Sequence, residues 1–345
     1  MQKYIDLRSD TVTQPTQEMR LAMYEAEVGD DIMGEDKSVT ELETLSADLL
    51  GKEAAMFVTS GTMGNQIAVM TLAERGEEVI VGDTSHIYNM ESGGLAALSQ
   101  VQTRVIQVPD GIYDLEMIEG AIREPGLQNP KTGLICTEDT NNLNAGLVVP
   151  IENLQAVYRI AQKHNIPVHL DGARIFNAVE ASKVPLKEIA ATADSVMFAL
   201  TKGLAAPFGA ILAGDKAYIE KARWIKQRLG GGFRQAGFLA APAIVGLNTM
   251  LPRLARDHEL AQLLGKELSA LGVLKVNVGR IHTNIITGSV EDLPMSIEEF
   301  LAKLLDKGIK AKRISKTSFR MVTHYGIGEP EIRQVVQAVK EIINH

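Results

Sequence analysis

The sequence is poor in cysteine and contains no long apolar run. Cys136 is the only cysteine among 345 residues, which excludes an internal disulfide and makes a reducing cytoplasm the expected compartment. It lies in the apolar run Gly-Leu-Ile-Cys-Thr, where a small buried side chain is favoured over a nucleophile. The N-terminal segment Met-Gln-Lys-Tyr-Ile-Asp-Leu-Arg has no apolar core long enough for a signal peptide, and no uninterrupted apolar stretch reaches the length of a membrane span. We therefore expect a soluble cytoplasmic protein without a membrane partner.

An excess of positive charge and metal-binding spacings are also missing. The formal net charge is −8, and acidic and basic residues are interspersed, which argues against nucleic acid as a partner. The seven histidines show no zinc-site spacing, so no metal is expected. Neither G-x-G-x-x-G nor G-x-x-x-x-G-K-[ST] occurs, so a dinucleotide or nucleoside triphosphate site is not indicated.

The chain does contain short apolar runs that alternate with helical patterns. Seven such runs lie at 54–58, 78–81, 105–108, 133–137, 167–170, 195–200 and 209–213. This alternation predicts an α/β fold with a seven-stranded, mostly parallel sheet covered on both faces. A helical stretch over about 235–271 leads into a part with its own strand and helix patterns, which predicts a smaller C-terminal α+β domain. The expected division is an N-terminal arm over 1–14, a large domain over 15–251 and a small domain over 252–345.

Two of the apolar runs end abruptly in a charged residue. One ends in Asp171 and another in Lys202, 31 residues later, a spacing that fits two strands joined by one crossover helix. Ligands of open α/β sheets bind just beyond the carboxyl ends of parallel strands. A lysine there can hold the aldehyde of pyridoxal phosphate as a Schiff base, and an acid can pair with its pyridine nitrogen. Taken singly, each residue could also be a solvated loop lysine or a helix-capping aspartate.

Two glycine-rich segments are candidate phosphate sites. Residues 59–66, Thr-Ser-Gly-Thr-Met-Gly-Asn-Gln, stand between an apolar run and a helical pattern, so backbone N–H groups at a helix start would face an anion. Residues 228–235 combine three glycines with two arginines that can bind an anion through paired hydrogen bonds. The alternative for the second segment is a flexible loop.

His86 and the arginines complete the set of candidates. His86 follows an apolar run, where an imidazole could stack on a pyridine ring, move a proton, or simply be hydrogen-bonded. Arg8, Arg174 and Arg320 are candidates to bind a substrate carboxylate. Because an unpaired guanidinium is costly in apolar surroundings, Arg174 and Arg320 should each meet an anion, either the substrate or an internal acid.

With these residues in order, the chain resembles the low-specificity L-threonine aldolases, which are fold type I, aspartate-aminotransferase-like pyridoxal phosphate enzymes. The resemblance covers nearly the whole length and rests on the segments 6–13, 29–36, 60–66, 169–174, 201–203 and 230–235. It implies cleavage of L-threonine, L-allo-threonine or a related β-hydroxy-α-amino acid to glycine and an aldehyde. It also implies a homodimer or homotetramer with shared active sites.

The resemblance further implies a role for each candidate residue. The catalytic residues would be Lys202, His86 and Asp171. The cofactor contacts would be Ser60, Gly61, Thr62, His86, Asp171, Arg174, Lys202 and Arg234, the last from a neighbouring subunit. The substrate contacts would be Ser9, Arg174, Arg320 and Asn141.

Three positions depart from the family pattern. Asn141 stands where the family usually has a histidine, and asparagine can orient a hydroxyl but cannot accept its proton. Met33 replaces a usual tyrosine, and Ala205 replaces a common glycine. These departures leave the β-substituent open. A pyridoxal-phosphate-dependent β-eliminating lyase or amino-acid racemase is the alternative, and a non-enzymatic cofactor-binding protein is a third hypothesis.

Overall fold

The fold is built on a seven-stranded sheet in the computed structural model, which describes residues 4–344. In chain order the strands are β1 (Ile5–Asp6), β2 (Ala54–Val58), β3 (Glu78–Gly82), β4 (Gln102–Ile106), β5 (Thr132–Glu138), β6 (Val168–Asp171), β7 (Ser195–Ala199), β8 (Ala210–Gly214), β9 (Lys275–Val276), β10 (Ile285–Ser289), β11 (Ile309–Lys310), β12 (Lys312–Arg313) and β13 (Ser318–Val322). The helices are α1 (Gln17–Glu25), α2 (Lys37–Leu50), α3 (Gly61–Leu72), α4 (His86–Asn89), α5 (Leu115–Ala121), α6 (Ile151–Lys163), α7 (Ile175–Ser182), α8 (Leu186–Ala190), α9 (Lys216–Arg228), α10 (Gly237–Thr249), α11 (Leu254–Ser269), α12 (Ile297–Asp306) and α13 (Glu329–Ile343).

The central sheet has the strand order β2-β8-β7-β6-β5-β3-β4. Only β8 runs against its neighbours, so the predicted mostly parallel sheet is confirmed. All seven predicted runs contribute strands. Strand β4, which corresponds to the predicted run 105–108, spans Gln102–Ile106 and so ends before Val108. The chain leaves the sheet there because the Val108 N–H donates to the side chain of Asp83 (3.0 Å) and not to a neighbouring strand.

Alternate residues of the central strands pack on opposite faces of the sheet. Met56, Val58 and Met197 belong to the apolar cluster against α3 and α9. Phe57 and Phe198, one position along, belong to the main core on the other face. Because successive strand residues point to opposite faces, a strand buried on both sides is apolar at nearly every position. This is why these runs show no alternation in the sequence.

The C-terminal part forms a second core around a four-stranded antiparallel sheet of order β12-β13-β10-β9. Helices α11, α12 and α13 contribute buried residues to it. The N-terminal segment joins this core, since Ile5 and Asp6 pair in parallel with Ile309 and Lys310, and Leu7 is fully buried there. The smaller α+β unit is thus present, while the boundaries at 14/15 and 251/252 stay predictions.

The predicted helical stretch over 235–271 is broken in the structure. Helix α10 ends at Thr249, a 3₁₀ turn spans Leu251–Arg253, and α11 begins at Leu254. Pro252 lies in that turn, where it lacks the N–H that a continuous helix requires. The two helices meet at 50°. Within residues 4–344, no single helix has the length and apolar character to cross a membrane, and by those two criteria alone this bent pair could.

The burial of Leu7 leads to a stability prediction. Leu7→Ala is expected to lower the free energy of unfolding by about 2–5 kcal/mol, because it leaves a cavity in the C-terminal core. Leu127→Ala, at a fully exposed side chain, should change it by less than about 0.5 kcal/mol. Denaturant unfolding of both variants is the measurement. Equally small effects would contradict the packing of the N-terminal segment on this core.

Candidate active site

Charged side chains meet in a cavity of about 210 Å³ at the carboxyl edge of the central sheet. Asp171 and Glu138 are the last residues of the neighbouring strands β6 and β5 and stand opposite each other in the register. Six residues singled out from the sequence line this cavity: Ser9, His86, Asp171, Arg174, Lys202 and Arg320. The spacing of Asp171 and Lys202 thus reflects two adjacent strand ends, since β6 pairs with β7.

The Asp171 carboxylate is held by a buried hydrogen-bond network. Its Oδ1 accepts from the backbone N–H of Ala173 (3.0 Å), and its Oδ2 accepts from Nδ2 of Asn65 (2.8 Å). Oδ1 of Asn65 lies 3.0 Å from Nε2 of His169, whose Nδ1 lies 3.0 Å from Oγ of Ser195. Burial lowers the pKa of His169 to about 4, so its ring is neutral and donates through Nε2 to Asn65. The network therefore fixes the Asn65 amide with its N–H groups toward Asp171.

Lys202 follows β7 and presents its amine to the same cavity. Burial lowers the pKa of this amine to about 8, and the nearby Arg174 guanidinium contributes to the shift. A lysine with a depressed pKa is partly neutral near physiological pH, and the neutral amine is the form that attacks an aldehyde. The amine is therefore suited to hold a carbonyl cofactor.

Arg174 is paired with an internal acid. Its Nε and Nη2 donate to the two carboxylate oxygens of Asp10, both at 2.7 Å, and both side chains are buried. Although burial opposes it, the charge and hydrogen bonds of Arg174 hold the pKa of Asp10 well below its usual range. The remaining Nη1 donates to Oδ1 of Asn142 (3.1 Å). Arg174 was expected to meet either the substrate or an internal acid. The internal acid Asp10 accepts from its Nε and Nη2.

Arg320 is less completely satisfied. Its Nη1 donates to Oδ1 of Asn142 (3.0 Å) and its Nη2 to the backbone oxygen of Arg8 (3.4 Å). Its Nε is buried and has no hydrogen-bond partner within residues 4–344. Burial and the nearby Arg174 lower the pKa of Arg320 to about 10. A buried guanidinium with a free donor requires an anion, which fits an incoming carboxylate.

His86 begins α4 and is anchored at two points. Its backbone N–H donates to Oε2 of Glu138 (2.6 Å), and its Nδ1 lies 3.0 Å from Oε1 of Glu91. His86, Glu91 and Asp171 each have a potential metal-ligand atom, and these three atoms lie within 4.8 Å of one another. This is the one cluster of potential metal ligands within the described part of the chain. Because Nδ2 of Asn65 donates to both carboxylates (2.8 Å each), hydrogen bonds account for this cluster.

The three predicted phosphate contacts lie at the start of α3. Ser60 caps the helix by accepting from the backbone N–H of Met63 (3.1 Å), and Gly61 and Thr62 form the first turn. Asn65, one turn further along the same helix, contacts Asp171. The start of α3 is thus one helical turn from Asn65, and Ser60, Gly61 and Thr62 are not among the residues that line the cavity. The first turn of a helix leaves backbone N–H groups without partners within the helix.

Besides Ser60, Gly61 and Thr62, two further predicted contacts do not line this cavity. Asn141 is fully buried, where its Nδ2 donates to Oγ1 of Thr84 (3.2 Å) and its Oδ1 accepts from the Asn144 N–H (3.1 Å). The adjacent Asn142 lines the cavity instead. Arg234 is exposed and donates to Oδ2 of Asp30 (2.7 Å) on the surface of the same chain. Neither position is explained by contacts to the cavity within one chain.

The other two departures from the family pattern are visible in the backbone and at the surface. Ala205 adopts φ +54°, a left-handed conformation that glycine takes without strain, which explains why glycine is common there. Met33 is 70% exposed and does not line the cavity. Both changes leave the cavity-lining side chains as described.

Sequence reasoning missed Glu91 and Lys312. Lys312 lines the cavity and stands opposite Arg320 in the register of β12 and β13. Nothing in the local pattern marks either residue, because each acquires its place through packing of distant segments. The Glu-Asp-Thr-Asn-Asn segment that starts at Glu138, the last residue of β5, was the available indication for Glu138 and Asn142, since Asp171 likewise ends its strand.

The Asp10–Arg174 pair predicts a loss of stability on removal of the carboxylate. Asp10→Asn should lower the free energy of unfolding at pH 7 by about 3–5 kcal/mol, because it leaves a buried guanidinium unpaired. The folded-state pKa of Asp10 is depressed, so its stabilisation is present above the unfolded value of about 3.9 and is lost as the pH falls further. The advantage of the wild type should therefore shrink below about pH 4.

Unfolding curves at pH 7 and pH 3 measure this difference. Asp110→Asn is the matched control, because it breaks the exposed pair of Asp110 with Arg280 and should cost less than about 1 kcal/mol. An equal cost for both variants would contradict the role of burial at Asp10.

The depressed pKa of Lys202 predicts unusual reactivity. Competitive acetylation of the chain without added cofactor should show half-maximal reactivity of Lys202 near pH 8, compared with about 10.4 for an ordinary lysine. Reactivity should rise with pH through this range because only the neutral amine reacts. Peptide mass analysis gives the values, and a midpoint near 10.4 would contradict the effect of burial.

Comparison with known proteins agrees with this geometry. The chain matches the model of the beta-eliminating lyase family over residues 6–290. It is 44% identical to the probable low-specificity L-threonine aldolase 2 of Arabidopsis thaliana, with 99% of this chain and 97% of the relative covered. It is 38% identical to the low specificity L-threonine aldolase of Escherichia coli K12, with 96% and 97% covered.

Solved structures show the same fold. A putative L-allo-threonine aldolase from Listeria monocytogenes EGD-E has a TM-score of 0.83 at 22% identity, covering 99% of this chain and 96% of that one. A threonine aldolase from Leishmania major also has a TM-score of 0.83, at 19% identity, covering 98% and 99%. These likenesses confirm the predicted fold type I architecture. The chain therefore belongs to the low-specificity L-threonine aldolases within the beta-eliminating lyase family, a membership that implies pyridoxal phosphate as cofactor.

Proposed function

We propose that this chain is a carbon–carbon lyase that cleaves L-threonine, L-allo-threonine or a related β-hydroxy-α-amino acid to glycine and an aldehyde. The observation that carries the proposal is the convergence of Lys202, Asp171 and the incompletely satisfied Arg320 on one cavity. An amine, an acid and an anion-binding guanidinium are the groups that a cofactor-dependent reaction of an amino acid requires. Family membership supports the choice of reaction.

The described residues fit pyridoxal phosphate. Lys202 would hold its aldehyde, Asp171 would pair with its ring nitrogen, and the N–H groups of Ser60, Gly61 and Thr62 would face its phosphate. The arrangement of Asp171 supports this assignment, because both its oxygens accept from N–H donors, which fixes the position of the carboxyl group at the cavity. When bound, pyridoxal phosphate supplies an electron sink for the electron pair of the broken bond.

Binding of the substrate carboxylate would select the bond that breaks. Arg320 offers its free Nε, and Ser9 lines the same wall. A carboxylate held there would fix the rotation about the substrate nitrogen–Cα bond and so select which bond to Cα is aligned for cleavage. Arg174 would contribute mainly through Asp10 and Asn142, since those partners occupy its nitrogens.

The proton of the substrate β-hydroxyl needs an acceptor as the Cα–Cβ bond breaks. His86 lines the cavity and is the candidate base. Asn141 points to Thr84 and Asn144 in the structure, which leaves it without a direct part in this transfer. Removal of the hydroxyl proton forms the aldehyde carbonyl, and a proton delivered to Cα completes glycine.

A β-eliminating lyase or an amino-acid racemase is the second candidate function. The same carboxylate and cofactor contacts serve these reactions, and the family model that matches residues 6–290 is that of beta-eliminating lyases. Position 141 favours neither reaction, because the Asn141 side chain bonds to Thr84 and Asn144. Product analysis separates the candidates, because only the aldolase releases glycine together with an aldehyde.

We also propose a homodimer or homotetramer in a reducing cytoplasm. Large apolar side chains of the segment around α1 are exposed, with Tyr24 at 84% and Met33 at 70%. The exposed Arg234 lies beside this segment through its contact with Asp30, a position from which it could reach a neighbouring subunit. The single buried Cys136 is compatible with a reducing compartment.

Product release tests the proposed reaction. The protein loaded with pyridoxal phosphate should release glycine and acetaldehyde in equal amounts from L-threonine or L-allo-threonine. Lys202→Ala should lose nearly all turnover and, after borohydride reduction, should carry no covalently attached cofactor by mass. Lys266→Ala, at an exposed position on α11, should keep both properties. A spectral change on substrate addition without glycine would contradict the aldolase and favour the second candidate.

A further inference from the structure

Glu91 is a buried acidic residue that has no role in the reaction proposed above. Its side chain has no exposed surface, and it faces His86 across 3.0 Å. A buried acid is costly unless it is ionised and satisfied, or neutral and donating. Which of these states Glu91 adopts decides which nitrogen of His86 carries the proton.

The surrounding amides show that Glu91 is an acceptor at both oxygens. Its Oε1 accepts from Nδ2 of Asn65 (2.8 Å), and its Oε2 accepts from Nε2 of Gln66 (2.7 Å). Both amide orientations are fixed, since Oδ1 of Asn65 accepts from His169 and Oε1 of Gln66 accepts from Oγ of Ser99 (3.3 Å). Both oxygens of Glu91 are therefore hydrogen-bond acceptors toward their amide neighbours.

Because the Glu91 oxygen that faces His86 is an acceptor, Nδ1 of His86 donates to it. A neutral imidazole with its proton on Nδ1 has its lone pair on Nε2. Within the described part of the chain Nε2 of His86 has no hydrogen-bond partner, and the ring lines the cavity beside Lys202. The hydrogen bond from the backbone N–H of His86 to Oε2 of Glu138 (2.6 Å) fixes the backbone position from which the imidazole ring extends.

We infer that Glu91 is a positioning residue, which fixes the proton of His86 on Nδ1 so that Nε2 can accept the proton of the substrate β-hydroxyl. The inference rests on the proposed function and deepens it. The hydroxyl proton passes to Nε2, the oxygen–hydrogen electron pair becomes part of the aldehyde carbonyl, and the Cα–Cβ pair stays with the glycine carbon. Glu91 then stabilises the imidazolium, as the acid of a catalytic triad does. This arrangement supplies a base in a chain that has asparagine at position 141.

The charges around His86 predict the direction in which activity changes with pH. The hydrogen bond from Glu91 raises the pKa of His86; burial lowers it, Asp171 raises it, and Lys202 lowers it, with a net upward shift. Oε2 of Glu138 also accepts from the backbone N–H of His86. A base must be neutral to accept a proton, so activity should fall as the pH drops through a value above about 6.5. Removal of the Glu91 charge should move this acid limb to lower pH.

Two substitutions separate the charge from the position. Glu91→Gln keeps an oxygen that can accept from Nδ1 but removes the charge. We expect kcat to fall about 10- to 100-fold with little change in KM, and the acid limb to move to lower pH. Glu91→Met removes the acceptor as well, and we expect a larger fall, roughly 10²- to 10⁴-fold, the range of a lost general base. Glu116→Gln, at an exposed position, is the control and should leave the profile unchanged.

A second measurement is independent of turnover. Diethyl pyrocarbonate modifies neutral imidazole, and the pH dependence of His86 modification, followed by peptide mass analysis, gives its pKa in the full chain. The Glu91→Gln chain should show a lower pKa than the wild type. Borohydride trapping of the cofactor should be equal in both, which separates positioning from a folding defect.

The outcomes distinguish the two proposals. Wild-type kcat and an unmoved acid limb in both Glu91 variants, or an unchanged pKa of His86, would overturn the role of Glu91. If the wild type releases no glycine from either threonine isomer, the proposed function fails. In that case the modification experiment still decides whether Glu91 controls the protonation of His86.

Discussion

The side-chain amide of Asn65 holds two buried carboxylates together, and the rest of the site depends on this contact. Its nitrogen donates to Asp171 and Glu91 at 2.8 Å each. Two carboxylates this close in a buried setting repel each other unless donors are supplied. His169, kept neutral by burial, fixes the orientation of the amide from behind. Loss of this bridge would therefore affect both Asp171, which lines the cavity, and Glu91, which contacts His86.

The opposite wall of the cavity shows the complementary problem, an excess of positive charge. Arg174, Arg320 and Lys312 converge there, and Asp10 satisfies only the first of them. Asp10 belongs to the N-terminal segment, which begins in the C-terminal core at Leu7 and reaches the sheet edge three residues later. The segment thus connects the small core to the active site. The positive charge that remains is arranged for anions that the chain itself does not supply.

Much of the fold followed from the sequence because its determinants are local. All seven runs became strands of one sheet, and the strand ends at Asp171 and Lys202 came together because neighbouring parallel strands end at the same edge. The errors also have local causes. Pro252 breaks the helix expected over 235–271, and the Asp83 side chain draws Val108 out of the sheet. The substrate contact of Asn141 stays a prediction that rests on the resemblance, and within this chain its side chain bonds to Thr84 and Asn144.

The sequence by itself determined the α/β class, the amine and the acid at the sheet edge, and the family resemblance. Each of these depends on residue order along a short stretch or on the succession of such stretches. Only the tertiary structure decided which charged groups meet. Asp10 and Arg174 are 164 residues apart, and Asn65 and Asp171 are 106 apart. Their contacts arise from strand order and helix packing, which bring together side chains that no local pattern relates. The partner of Arg174, the free donor of Arg320 and the orientation of His86 by Glu91 were settled at that level.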